Sequence, residues 1–574
     1  QYSADRVEVL RGAASLLYGS DALGGAINIL EPLPVPDGEI RGEVLSNYSF
    51  NNGLTASSAM LTGNENGFVW LGRGTYKNAY AFKTPTGYFP NSGFNEGDFN
   101  GMIGLNKSWG YSHLNFSYFK NNIGFYEGEQ DAAGNWLNED GAEYTNSQLK
   151  DRMLMQPRQD IRHYKIALNN NFFIGDGNLK LDIGYQQNQR RELEDGPVPS
   201  LFFDLGTFSA DAKYYFKQSN GWQPIIGLSG DAGRSQNKAE EVLIPAYRTS
   251  GFGIFGYAKK NWDKTTFNAG ARFDYRNNVG DELTRDGEQI FTGFKNSFSN
   301  ISGALGVTHE LSDLLNVKAN VSTGFRAPNP AELGSNGVHE GTFRYEIGNA
   351  DLNAERSYQA DASLELKSEK VEASAGLFYN YIHNYIYYAN RNNELITVED
   401  GGEQVTLPVY RYVQDNAQLY GVEASLLLHP VSSLHFENTF SYTRAENLTL
   451  KRALPFIPAA TLRNELRFEP KVKGLQGTYI SVSLSNFFKQ NRIDEFETTT
   501  PGYSLLGAGI GTTFMINKQP VKLYVAGSNL LDKKYYDHLS RFKPGRFSEE
   551  DPALGVYNIG RNITVGVNMP LRLK

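Results

Sequence analysis

Three groups of residues have types and spacings that can do chemistry. His339, Glu340 and Glu346 stand close together in a glycine-punctuated stretch, and imidazole with carboxylate suits zinc or iron. Adjacent strand residues point to opposite faces. The expectation is therefore that His339 alone faces inward and that the trio is dispersed. A plain loop built on Gly337, Gly341 and Gly348 is the alternative. The second group is Met153, Met155 and His163. Thioether plus imidazole suits copper, although methionine also fills gaps in packing. The third is a run of acids, Glu127, Glu129, Asp131, Glu139, Asp140 and Glu143, which either gathers cations or is a solvated face.

Other chemistry is excluded. The chain has no cysteine, so thiolate metal sites, cysteine nucleophiles and disulfides are absent together. Gly24-Gly25 sits in neither a GxxxxGK[ST] nor a GxGxxG pattern, so it cradles no phosphate. No motif suggests a Ser–His–acid set or a catalytic carboxylate pair. The reading is of a protein that is not an enzyme and carries no cofactor. Net charge is −8 without a basic block, which excludes nucleic acid as a partner.

The elements that position these residues are strands. In 574 residues there are 34 Tyr, 35 Phe and 59 Gly, a strand-and-turn composition. No apolar run reaches the ~18 residues of a membrane helix. From residue 39 onward one pattern repeats, an alternating segment followed by a turn. Ile563, Val565, Val567, Met569 and Leu571, for example, alternate with Asn562, Thr564, Gly566 and Asn568. About 22 such segments can be counted, among them 315–326, 356–368, 371–388, 416–429, 434–447, 503–516, 520–535 and 557–571. Every second connection is short, such as Gly175-Asp176-Gly177. The intervening ones are mostly long, among them 123–159, 327–355, 389–415 and 536–556. Short turns at one end and long loops at the other mark an outer-membrane barrel. A soluble sandwich would have short connections at both ends. The fold class expected is all-β, a transmembrane antiparallel β-barrel of about 22 strands, with aromatic girdles at the two interfaces.

Residues 1–34 break this rhythm. Arg6–Leu10 reads as a short strand, 11–19 as a turn with one or two helical turns, and Ala22–Leu30 as another strand. The stretch RVEVLRGAASLLYGSDALGGAINIL resembles the end of the plug domain of TonB-dependent receptors. Gly324-Phe325-Arg326-Ala327-Pro328, Gly421-Val422-Glu423 and Asn529-Leu530-Leu531-Asp532-Lys533-Lys534-Tyr535-Tyr536 are similar to barrel motifs of the same family. The resemblance implies residues 1–36 as the C-terminal part of a plug and 37–574 as the barrel. The TonB box and the front of the plug are then expected before Gln1. The family's usual terminal aromatic is replaced here by Leu571-Arg572-Leu573-Lys574.

The resemblance further implies an active importer in the bacterial outer membrane. Its partners would be the TonB-ExbB-ExbD complex, outer-membrane lipids and a small metal-containing ligand. A ferric siderophore leads; zinc, copper, haem and cobalamin stay open, with a passive porin as the alternative of a different class. In the family the arginine of the "RG" motif, here Arg11, contacts carboxylates of the barrel wall. Strand parity turns Glu423, Asp361 and Glu365 inward. Arg11 with Glu423, and with Asp361 or Glu365, is the expected plug–barrel latch, the alternative being solvated lumen charges.

Overall fold

The computed structural model describes residues 4–10, 16–19, 21–30, 32–125, 130–131, 134–138, 140–339, 344–400, 403–544 and 555–574. Among these, 22 wall strands form a closed antiparallel barrel. Each pairs with its chain neighbours, and Ile40–Ser49 closes the ring against Asn562–Arg572. Closure leaves no sheet edge, so each wall strand has a partner on both sides. Turns at one end are tight: Leu54–Glu65 passes to Phe68–Ala79, and Arg158–Ile174 to Gly177–Leu193, through two residues each. The long connections all emerge at the other end.

Alternation sorts the two faces. Ile301, Leu305, Val321, Leu377 and Val482 all point away from the lumen and are half to three-quarters exposed, a placement that a hydrocarbon surround makes stable. The opposite face is polar. Asn320 Nδ2 donates to Asp361 Oδ2 at 2.7 Å, Lys318 pairs with Glu365 at 2.5 Å, and Arg272 pairs with Asp274 at 2.8 Å. Two aromatic belts bound the apolar band. Trp109, Trp222 and Trp262 stand outward at the tight turns. Tyr358 with Tyr381, and Tyr379 with Tyr420, pair toward the loop end.

Several strand boundaries differ from the sequence pattern, three of them at the ends that lead into the long loops. The segment 416–429 is the lower half of Glu403–Val431, a strand of 29 residues. Its upper half pairs with Leu395–Asp400 and with Tyr385–Ala389, so most of the expected loop 389–415 is strand, a hairpin that extends the wall. The strand expected over 520–535 ends at Ser528, because Asn529 turns to φ 45° and its side chain holds the backbone of Lys533. The last strand begins at Asn562 rather than 557.

Near the N-terminus, Arg6–Leu10 pairs antiparallel with Ala26–Leu30. The second of these starts later than its apolar run, because Gly25 takes φ 135°. Leu16 buries against Ala304 of the wall, and Lys213 lies 5.1 Å over the Tyr18 ring. Gly19, at φ 103°, fits directly under Arg272, whose Nη2 would lie 3.3 Å from an added Cβ. The segment thus rests on the inner wall through small residues.

The two faces of one strand should answer differently to charge. Val482→Arg, on the lipid side, is expected to lower unfolding free energy by about 2–4 kcal/mol. Ser483→Arg, opposite Glu465 on the lumen side, should cost under about 1 kcal/mol. Urea titration of the barrel refolded into liposomes reads both.

Candidate functional site

The loop after Leu315–Arg326 is held from its base. Arg326 makes two hydrogen bonds to Glu332 (3.0 and 2.9 Å) and two to Glu355 (both 2.8 Å). Glu355 Oε1 also accepts from the Ile386 amide at 2.6 Å. Asn329 caps the short helix Pro330–Gly334, and Glu332 closes a capping box with it. Two carboxylates around one planar guanidinium fix both direction and distance. Burial raises the Glu332 pKa even with Arg326 opposing it. The arginine of the GFRAP motif is thus the root of this loop.

Beyond the helix, Asn336–His339 and Arg344–Ile347 form a hairpin whose second strand runs parallel to the extended wall strand, Tyr345 beside Val409 and Ile347 beside Arg411. His339 faces Arg344 and Gly337 faces Glu346, so His339, Arg344 and Glu346 share a face. His339 Nδ1 lies 2.8 Å from Glu346 Oε1, and Arg344 Nε donates to the same oxygen at 2.7 Å. The Tyr412 hydroxyl reaches Oε2 at 3.4 Å. Burial alone would raise the Glu346 pKa, but the His339 hydrogen bond and the Arg344 charge outweigh it and hold the group at about 2.

This hairpin presents a cation to an aromatic wall. The Arg344 guanidinium lies 4.1 Å from the Tyr388 ring centroid and 5.3 Å from that of Tyr410. Tyr388 meets Phe456 at 5.0 Å, and Tyr410 meets Phe496 at 5.5 Å. Arg541, from the last long loop, donates to the Tyr388 hydroxyl at 2.8 Å. Four loop segments thus meet in one patch of arginine and aromatic rings at the outer mouth. Such a surface suits flat, anionic, aromatic ligands, which take ion pairing and stacking together.

A second network ties the loops around it. His538 Nδ1 is 2.8 Å from Thr500 Oγ1 and accepts from Lys543 Nζ at 3.2 Å. That places the neutral ring's proton on Nε2, 3.6 Å from Glu497. Glu497 in turn accepts from the amides of Phe456 and Asp494, both at 3.0 Å. Burial, reinforced by the Lys543 charge, lowers the His538 pKa to about 4. Burial also raises Glu497 and lowers Lys543.

The residues singled out by sequence fall as follows. His339 and Glu346 are not dispersed as expected: the hairpin brings them together. Glu340 lies outside the described residues. Glu346 is occupied by Arg344, and among the described residues no three His, Asp or Glu side chains converge as metal ligands. Met153 is 77% exposed in the loop, whereas His163 sits within Arg158–Ile174, 3.4 Å from Asn188 Nδ2. Arg11 lies outside the described residues, as do Glu127, Glu129 and Glu139. Of its expected partners, Glu423 stands on the inner face opposite Gly376 and Ser441. Asp361 and Glu365 take wall partners, Asn320 and Lys318. Arg344, Tyr388, Tyr410 and Arg541 were not anticipated. The run Tyr385-Ile386-Tyr387-Tyr388, which breaks alternation, is a signal for Tyr388 alone.

A closed barrel of this size, with a polar lumen, two aromatic belts and long loops at one end, defines an outer-membrane β-barrel. The family described as "TonB dependent receptor-like, beta-barrel" matches residues 40–530, and the chain belongs to it. The family consists of outer-membrane transport receptors. Among relatives, the chain is 23% identical over 447 residues to the iron-regulated outer membrane virulence protein of Vibrio cholerae, covering 77% of this chain and 62% of that protein. It is 23% identical over 626 residues to the ferric enterobactin receptor PirA of Pseudomonas aeruginosa, covering 96% and 78%. Among solved structures, the copper transporter OprC superposes with a TM-score of 0.80 at 16% identity, covering 99% of this chain and 86% of that one. The siderophore receptor PirA of Acinetobacter baumannii gives 0.72 at 17%, covering 99% and 85%. At these identities the structures share the fold.

Two measurements test the loop networks. Glu346→Gln leaves the buried Arg344 without its counter-charge, which costs about 3–5 kcal/mol. Faster amide exchange over 344–347 is expected, with the membrane strands unchanged. The second concerns pH. His538 has a folded pKa below its unfolded value of about 6.5, so the open loop binds the extra proton. The clasp is fully stable above pH ~6.5 and weakens as pH falls toward 4. Proteolytic nicking over 529–544 should rise between pH 7 and pH 5, and His538→Gln should remove that step.

Proposed function

We propose that this chain is the barrel and plug end of an active importer that takes up a ferric siderophore, energised by the TonB-ExbB-ExbD complex. In this reading residues 1–36 are the last part of the plug and 37–574 the barrel. The observation that carries it is the patch at the outer mouth. Arg344 lies against Tyr388 and Tyr410, with Arg541 on the Tyr388 hydroxyl. Ferric siderophores offer oxygen anions, often on aromatic rings. They are held by guanidinium and stacking rather than by direct protein–metal bonds.

The relatives named for ferric enterobactin and iron regulation support the same reading. A copper cargo would call for ligands that converge; Met153 lies out in the loop while His163 sits in a wall strand with Asn188. The contact of Leu16, Tyr18 and Gly19 with the inner wall favours an importer over a passive porin. The barrel's own task is then to hold the loops, bind the chelate outside and give the plug a wall to move against.

The test is uptake in a strain stripped of its own receptors. Radiolabelled ferric catecholate should accumulate with TonB present and stop when TonB or the proton-motive force is removed. Accumulation that persists would mean a pore. Arg541→Ala should weaken binding of the ferric catecholate by about tenfold or more, the worth of one charge-assisted contact. Unchanged affinity in an Arg541→Ala, Tyr388→Ala double variant would remove the patch from the proposal.

A further inference from the structure

The end of the barrel opposite the long loops carries a pair of imidazoles. Glu403–Val431 passes to Leu434–Asn447 through Ser432 and Ser433. Parity carries the inner face of the first strand from Glu423 down to His429, and that of the second from Ser441 through Glu437 to His435. The two rings meet beside the turn. His429 Nδ1 lies 2.6 Å from His435 Nδ1, with the ring centroids 4.8 Å apart and the planes at 80°. On the far side of His435, Nε2 is buried and has no hydrogen-bond partner, and Glu469 Oε2 stands 3.7 Å from it. Arg467 Nε donates to Glu469 at 2.7 Å, and its guanidinium lies 4.1 Å from the Tyr479 ring.

Two ring nitrogens this close share one proton, because a neutral imidazole has one donor and one acceptor. A metal cation can take that proton's place. At metal–nitrogen lengths of ~2.0–2.1 Å, a right angle at the metal sets two nitrogens ~2.9 Å apart and a tetrahedral angle ~3.3 Å. The rings thus need to part by less than ~1 Å. Both side chains are partly buried beside a turn, not locked in a core. With both Nδ1 lone pairs turned to the metal, each ring carries its proton on Nε2. For His435 this fills the orphaned position, since Nε2–H then points at Glu469. Metal-bound histidines commonly donate their other N–H to a carboxylate, which fixes the tautomer and raises the basicity of the ligating nitrogen.

We propose that His429 and His435 bind one nitrogen-seeking divalent cation, Cu2+ foremost and Ni2+ or Zn2+ after it, on the inner wall at the periplasmic rim. Imidazole suits these ions, and affinity for such a site peaks at copper. The tight turns mark this end of the barrel as the periplasmic one. No third His, Asp or Glu side chain converges with the pair among the described residues, so water completes the coordination shell. That leaves the ion open to a donor from a molecule passing the rim. The site is separate from the arginine–aromatic patch, which lies at the other end of the barrel. An ion here ties two neighbouring strands together where the lumen opens to the periplasm.

Calorimetric titration of the full chain in detergent with CuCl2, NiCl2, ZnCl2 and MgCl2 tests this. Cu2+ should bind one per chain and most tightly of the four, and its electron paramagnetic resonance should show coupling to two nitrogens. H429Q/H435Q should lose that site, and H429Q alone should reduce the coupling to one nitrogen. E469Q, which leaves both ligands in place, should weaken binding by about tenfold, the usual worth of an outer-shell partner. H383Q, at an exposed histidine paired with Asn416, should behave as the parent. Heat-modifiable migration on electrophoresis reports that each variant has folded, and the single variant carries the test if the double one does not. A copper signal unchanged in the histidine variants, or Mg2+ bound as well as Cu2+, overturns the proposal. Binding at millimolar concentrations alone overturns it in favour of an adventitious ion only.

Discussion

Everything in this molecule follows from one constraint: a backbone amide in hydrocarbon has no water to bond to. A sheet meets it only by closing, and closure here joins Ile40–Ser49 to Asn562–Arg572 across the whole chain. Once the ring is closed, each wall strand must face lipid on one side and the lumen on the other. The period-2 pattern is therefore forced on every strand, and the 40% hydrophobic content never gathers into a long apolar run. It also fixes where function can sit. The tight turns leave no room, so recognition falls to the long loops and to the polar inner face.

Outside the bilayer the problem reverses. The loops are wet, and nothing in the barrel dictates their shape. They are fixed instead by buried charges that each satisfy several partners. Arg326 grips Glu332 and Glu355, and Glu355 in turn holds the amide of Ile386. Glu346 gathers His339, Arg344 and Tyr412. Glu497 gathers the amides of Phe456 and Asp494. Each of these acids would be costly if left alone at its depth and is stable only with its full set. The loops are therefore specified by these networks together with small apolar clusters, such as Leu333 with Leu352 and Ile386, or Leu454 with Ala417 and Ala445.

How much of this was legible in the sequence follows from the same division. All 22 wall strands could be found, because period 2 is a local signal. Their ends could not, because they depend on single backbone turns such as Asn529 or on pairing above the membrane, as at Glu403–Val431. The motif arginine Arg326 was visible as a motif but not as the root of a loop. His339, Glu340 and Glu346 were expected dispersed because parity sets the adjacent His339 and Glu340 on opposite faces. The hairpin adds a second strand, whose register returns Glu346 to the same face as His339. Arg541 and Tyr388, 153 residues apart, meet only through the arch of the last loop, and no local pattern reports that.

The vestibule and the loop clasp therefore belong to one design. Arg344 is buried and paired with Glu346, which it shares with His339, and its π-face contacts lie on Tyr388 and Tyr410, so it sets the position of the aromatic wall. The carboxylate fixes its position, and the rings extend the surface on which a flat ligand can stack. Arg541 reaches the same tyrosine from a loop that His538, Lys543 and Thr500 tie to its neighbour. The ligand surface is thus assembled from segments that the barrel sets at different points of its rim. A ligand resting on Arg541 and the Tyr388 ring would touch segments that Arg344 and Glu346 hold from behind, so binding there and the arrangement of the loops would be coupled through the same few contacts.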